Sequence, residues 1–122
     1  MARILIVDDD LTIADLIKDV IEPLGHECTL VLSGSMALDM VGKTPFDLVI
    51  LDRNMPEMSG LQVLRAIRAS PASAKLKVLV CTAAELMAEV DEAFNAGATD
   101  YIVKPLDIAK LKDKVKKHTT PA

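Results

Sequence analysis

Asp8, Asp9, Asp52, Thr82 and Lys104 are the side chains of this 122-residue chain whose types suit a shared chemistry. Each stands at the end of a short apolar run. Ile4–Val7 leads into Asp8-Asp9, Leu48–Leu51 into Asp52, Val78–Cys81 into Thr82, and Tyr101–Val103 into Lys104. If these runs are neighbouring strands pointing one way, three carboxylates, a hydroxyl and an ammonium converge on one edge. Carboxylates that close repel each other, and the pKa of at least one rises. A hard divalent cation removes that cost, and Mg2+ takes few carboxylates together with waters and phosphate oxygens. A phosphoryl group would complete such a site. Mg2+ and Lys104 would neutralise its charge, and Thr82 would donate a hydrogen bond. A carboxylate would act as nucleophile and form an aspartyl phosphate.

The elements that must position these residues follow from periodicity. Ile4–Val7, Glu27–Leu32, Leu48–Asp52, Val78–Cys81 and Tyr101–Val103 read as five strands. Leu48–Leu51 is apolar throughout, as in a strand covered on both faces. Between them fall helical patterns. Ile13, Ile17, Val20, Ile21 and Leu24 keep one face apolar, with Asp10 as cap and Gly25 as stop. Ser33-Gly34 reads as a turn before a second helix at Ser35–Val41, and a third helix spans Leu61–Ala69. The fourth helix spans Glu85–Ala96. The fifth, capped by Asp107, turns Ile108, Leu111 and Val115 inward and its five lysines mostly outward. Strands alternating with helices predict an α/β fold, (βα)5, with a parallel sheet between two helical layers. Asp52 then lies at the carboxyl edge of the sheet, where open α/β folds bind ligands.

Composition bounds the rest. The length predicts one domain over residues 1–122. With no Trp and 2% aromatics, the core must be aliphatic. A net charge of −4 argues against direct nucleic-acid binding. No apolar stretch approaches the roughly 20 residues of a membrane span. Cys28 and Cys81 sit in apolar strand-like surroundings and read as free thiols in a reducing, cytoplasmic compartment.

Four segments, in order, resemble the receiver domain of bacterial two-component response regulators over essentially the whole chain. They are Ile4-Leu5-Ile6-Val7-Asp8-Asp9-Asp10, Leu51-Asp52-Arg53-Asn54-Met55-Pro56-Glu57-Met58-Ser59-Gly60, Val80-Cys81-Thr82-Ala83 and Gly97-Ala98-Thr99-Asp100-Tyr101-Ile102-Val103-Lys104-Pro105. The resemblance implies a flavodoxin-like sheet of order 2-1-3-4-5 and a phosphorylation-controlled switch rather than an enzyme. It implies Asp52 as phospho-acceptor, Asp9 as a direct Mg2+ ligand, Asp8 holding the metal partly through water, and Asn54 supplying a backbone carbonyl. Thr82 and Lys104 would bind phosphoryl oxygens, Thr82 and Tyr101 would form the switch, and Lys104-Pro105 would be cis. The phosphoryl donor would be a sensor histidine kinase or a histidine phosphotransfer protein. The output would be a downstream protein, or a phosphorylation-dependent homodimer, bound through the fourth helix, fifth strand and fifth helix. No output domain is expected within these residues.

An alternative is a Mg2+-dependent phosphatase resembling the haloacid dehalogenases. Their nucleophile ends the first strand, with a second acid two residues on, whereas the residue two beyond Asp52 is Asn54. A flavodoxin-like cofactor module lacks its phosphate loop here. Simpler roles are assigned elsewhere. Asp10 is a helix cap, Glu85, Glu89, Asp91 and Glu92 form a solvated face, and His26 and His118 are exposed without an evident partner.

Overall fold

The computed structural model describes residues 2–83 and 87–120. In chain order it contains β1 (Arg3–Val7), α1 (Leu11–Ile21), a 3-10 turn (Glu22–Leu24), β2 (Glu27–Val31), α2 (Gly34–Lys43) and β3 (Leu48–Asp52). There follow α3 (Gly60–Ala69), β4 (Lys77–Thr82), α4 (Met87–Asn95), β5 (Asp100–Val103) and α5 (Ile108–Thr119). The strands form one parallel sheet of order β2-β1-β3-β4-β5. This is the flavodoxin-like fold expected from the sequence.

Alternation along the strands divides the core into two layers. Ile4, Ile6, Leu48, Ile50, Leu79, Cys81 and Ile102 pack against Ile17 and Ile21 of α1 and Leu111 and Val115 of α5. Leu5, Val7, Val49, Leu51, Val78 and Val80 pack on the other side, against α2, α3, Ala93 of α4 and Ala96 just beyond that helix. Successive residues of a strand therefore serve opposite helical layers.

Several boundaries differ from the sequence reading for local reasons. The α-helical part of α1 ends at Ile21, because Pro23 lacks the N–H that a continuing helix needs and the chain tightens into the 3-10 turn. Gly25 closes that turn in the left-handed region at φ 97°. Ser33 is a helix cap rather than part of a free turn, since its hydroxyl accepts the Met36 N–H at 3.3 Å. α3 opens with a capping box in which Ser59 and Gln62 satisfy each other's backbone N–H groups. The buried stripe of α5 begins at Leu111. Ile108, the first residue after the cap, is 47% exposed, because a stripe buries a residue only where another element lies across it. The expected start of the fourth helix at Glu85, and Ala84 before it, lie outside the described residues. Among the described residues, no helix is long and apolar enough to cross a membrane.

His118 is not exposed without a partner. Its Nε2 lies 2.9 Å from Asp100 Oδ2, and Lys114 Nζ donates to Asp100 Oδ1 at 2.8 Å, fastening α5 to the start of β5. His26 also has a partner, its Nδ1 accepting the Ala2 N–H at 3.1 Å. Burial alone would raise the Asp100 pKa, but the hydrogen bonds from His118, Lys114 and the Tyr101 N–H, with the charge of Lys114, bring it to about 2. A carboxyl depressed in the folded state stabilises only while ionised, so its contribution is lost as pH falls toward that value. Asp100→Asn should therefore lower the unfolding free energy at neutral pH by about 1–3 kcal/mol. In urea titrations the gap to the parent should close as pH falls from about 4 toward 2. A gap unchanged across that window would remove the stabilising role of the pair.

Candidate functional site

The site lies at the carboxyl edge of the sheet, built by strand ends in register. Val7 pairs with Leu51, so Asp8 and Asp52, the next residue of each strand path, become neighbours. Asp52 pairs with Cys81, and Thr82 with Val103, which brings Thr82 and Lys104 to the same edge. Ladder-like bonds hold the backbone past the strands. Asp8 N–H donates to Val31 O at 3.2 Å, Arg53 N–H to Cys81 O at 2.9 Å, and Lys104 N–H to Thr82 O at 2.7 Å. The Lys104–Pro105 peptide is cis.

The charges at this edge are closely set and largely out of water. Asp8 is 2% exposed and Asp52 4%, while Asp9 stands exposed beside them. Lys104 Nζ donates to Asp52 Oδ1 at 3.0 Å and to Asp8 Oδ2 at 3.2 Å, so one ammonium serves two buried carboxylates. Asp8 Oδ1 also accepts the Asp10 N–H at 2.9 Å, and Asp52 Oδ1 accepts the Asn54 N–H at 3.4 Å. Burial pushes the Asp52 carboxyl above its ordinary value, and the negative charge of Asp8 adds to this against the opposing pull of Lys104. Burial alone would lower the Lys104 pKa, but the hydrogen bonds and charges of Asp52 and Asp8 outweigh it and hold the ammonium above its usual range. One positive charge among three carboxylates leaves the cluster short of cations.

The donor set fits a divalent cation of the hard kind. One carboxylate oxygen from each of Asp8, Asp9 and Asp52 lies within 4.8 Å of the other two. All three donors are oxygens and no nitrogen or sulfur ligand stands among them, which suits Mg2+. The nearby Cys81 thiol belongs to the core, where burial pushes it to about 12 and keeps it protonated. Cys28, half-buried on β2, is pushed to about 11 chiefly by burial.

Thr82 and Tyr101 occupy the other side of the sheet from Asp52. Thr82 is buried, and it continues the Val78–Val80 alternation toward α4. Tyr101 pairs with Val80 while Thr82 pairs with Val103, so the two side chains are diagonal neighbours on one face. The Tyr101 ring meets Phe94 of α4 edge-on, with centroids 5.8 Å apart, and Lys114 Nζ of α5 lies 5.0 Å from its centroid. Tyr101 is thus wedged between the two helices that flank β5.

Arg53, unassigned in the sequence, bridges two elements. By strand alternation its side chain leaves the sheet opposite to Asp52. Its guanidinium donates to the Glu89 carbonyl and to Glu92 Oε1 of α4, each at 2.8 Å. Glu92 is therefore not simply part of a solvated acidic face. The alternation that placed Leu51 in the α4 layer was the available signal, since an arginine two residues on shares that layer.

Comparison with known proteins agrees with this geometry. Residues 4–116 match the response regulator receiver domain family. The chain is 40% identical over 116 residues to the chemotaxis protein CheY of Pseudomonas aeruginosa, covering 94% of each. Among solved structures it is similar to the chemotaxis response regulator CheY4 of Vibrio cholerae, with a TM-score of 0.92 and 29% identity over 97% of this chain and 98% of that one. It is also similar to the receiver domain of the sensor histidine kinase PA1611 of P. aeruginosa, solved with a magnesium ion in the active site cleft, at a TM-score of 0.87 and 27% identity over 95% of each chain. With its motifs at the ends of a 2-1-3-4-5 parallel sheet, the chain belongs to the response regulator receiver domains of the CheY type, the domains of phosphorylation-controlled signalling.

Proposed function

We propose that Asp52 accepts a phosphoryl group from a sensor histidine kinase or a histidine phosphotransfer protein and thereby switches the binding of a partner. The observation that carries this reading is the arrangement of Asp52 beside Asp8 with the Lys104 ammonium bonded to both. An Asp52 carboxylate oxygen attacks phosphorus, the bond from phosphorus to the donor imidazole nitrogen breaks, and that nitrogen keeps the electron pair and takes a proton. The catalytic share of the protein is positioning and charge. Asp8, Asp9, Asp52 and the Asn54 carbonyl would hold Mg2+, which when bound offsets the negative charge of the phosphoryl oxygens. Lys104, already an ammonium at the site, would follow an oxygen of the phosphoryl group once Asp52 has become an acyl phosphate. Thr82 would donate to another.

The response then reaches Tyr101. A Thr82 that moves toward the phosphoryl group vacates space on the face it shares with Tyr101, and the ring is free to follow. α4, β5 and α5 meet at that ring, so they form the output surface for a downstream protein or a second copy of the chain. Nothing in this role calls for nucleic acid or a membrane.

Acetyl phosphate, a small acyl phosphate, tests the reading. With Mg2+ the chain should take up about one equivalent of phosphoryl group and release it slowly, and chelation should stop the labelling. Mg2+ should also raise the melting temperature at neutral pH, because it binds the folded cluster and not the unfolded chain. Continuous turnover of acyl phosphates without accumulated label would identify a phosphatase. A melting temperature unmoved by millimolar Mg2+ would count against the metal site.

A further inference from the structure

The Arg53 side chain is mostly buried, 13% exposed, yet it lies outside the phosphorylation chemistry. Its backbone is fixed on both sides, by Cys81 O of β4 and by the Gly60 N–H of α3, which donates to Arg53 O at 2.9 Å. Its side chain spans to α4, where two separate groups receive it. One is the Glu89 carbonyl in the first turn of the helix, and the other is the Glu92 carboxylate, which is 50% exposed. A guanidinium offers several donors in a fixed plane, so it can satisfy a carbonyl and a carboxylate together, which a single ammonium does less well. The residue joined covalently to Asp52 thus reaches α4 directly. A single residue, Arg53, lies between the proposed phosphoryl acceptor and the helix of the output surface.

We propose that Arg53 is a positioning residue that ties α4 to the Asp52 end of β3, so that α4 responds to Asp52 through this strut as well as through Thr82 and Tyr101. The proposal rests on the reading of Asp52 as the phosphoryl acceptor. Modification of Asp52 shifts the backbone that carries Arg53, and the two hydrogen bonds carry the shift to the first turns of α4. With the strut removed, α4 is held less firmly and its response to Asp52 is weaker.

Amide hydrogen exchange on the full chain tests this, with and without beryllofluoride as a phosphoryl mimic, together with acetyl phosphate labelling. In Arg53→Gln the α4 amides should exchange about tenfold faster, as expected for losing a charge-assisted pair, with β3 and β4 unchanged. The protection that beryllofluoride confers on α4 should shrink, while the labelling rate at Asp52 stays within about twofold of the parent. Arg53→Lys should restore part of the protection. Glu92→Gln should give a smaller effect that 1 M salt reproduces in the parent, because only that half of the strut is an ion pair near water. Exchange of α4 unchanged in Arg53→Gln would overturn the strut. A beryllofluoride response equal to the parent's would overturn its role in transmission. Failure of the parent itself to accept label or mimic would instead remove the phosphorylation reading, while the exchange comparison without mimic would still decide whether Arg53 holds α4.

Discussion

Asp52→Asn should take phosphoryl labelling by acetyl phosphate from about one equivalent to background, with Mg2+ present in both cases. The amide has the shape of the carboxylate but neither its nucleophilic oxygen pair nor its charge. The fold survives the change. Asp52 is buried beside Asp8, and its pKa lies above the ordinary value, chiefly through burial. A carboxyl raised in the folded state favours folding when protonated and opposes it when ionised. Ionising Asp52 is therefore a net cost to the fold, one the unfolded chain does not bear. Replacing it with a neutral amide relieves that cost and leaves Lys104 paired with Asp8. Without divalent cations, Asp52→Asn should thus melt no lower than the parent. With Mg2+ the order should narrow or reverse, because the variant has lost one of the three carboxylates of the acidic cluster that fits the cation. Mass spectrometry that finds a full equivalent of phosphoryl group on another residue would end the assignment. A variant that melts well below the parent without metal would show that the Asp52 carboxylate supports the fold.

Gly60→Ala should produce the largest loss of stability near the site, about 3 kcal/mol or roughly 10 °C in melting temperature. Gly60 is the first residue of α3, and its backbone is pressed onto the end of β3. A Cβ there would fall against the Asp52 carbonyl oxygen and 2.7 Å from Arg53 Cα. Both obstacles are backbone, so no side chain can rotate away. Either α3 lifts, losing Leu61 and Leu64 from the core, or the peptide between Asp52 and Arg53 shifts. In the second case the hydrogen bond from Gly60 N–H to Arg53 O is also lost, and Asp52 leaves its place beside Lys104. Slower labelling at Asp52 should therefore accompany the lower melting point. Thermal unfolding and acetyl phosphate uptake measured on one preparation separate the outcomes. A stability loss below about 0.5 kcal/mol with parental labelling would show that the junction yields easily.

The sheet is legible in the sequence because its central strands are buried on both faces. Short continuous apolar runs such as Ile4–Val7 and Leu48–Leu51, each closed by polar residues, suit a covered strand better than a helix of ordinary length. The polar residues that end those runs are legible for the same reason. In a parallel sheet, strand ends share an edge whatever the strand order, so Asp8, Asp52, Thr82 and Lys104 could be grouped before the order was known. The order itself came from the family resemblance, since nothing in the runs states which strand is central. What remained hidden depends on contacts between residues distant in sequence. His118 meets Asp100 across 18 residues and Arg53 meets Glu92 across 39, and neither pair leaves a local pattern. Residues with a local competitor were misread in a different way. Ser33 beside Gly34 looks like a turn, yet the hydroxyl that favours turns also caps helices. Pro23 fell inside an apolar period that a proline cannot continue as an α-helix.

The wedged ring of Tyr101 also gives the molecule an optical property. The chain has no Trp and a single Tyr, so its near-ultraviolet fluorescence arises from one phenol. That phenol lies against Phe94 of α4 and beneath the Lys114 ammonium of α5. Emission intensity, lifetime and anisotropy of a tyrosine all depend on nearby charge and on freedom of ring rotation. The folded chain therefore carries an unlabelled reporter with no background, situated at the junction of α4, β5 and α5.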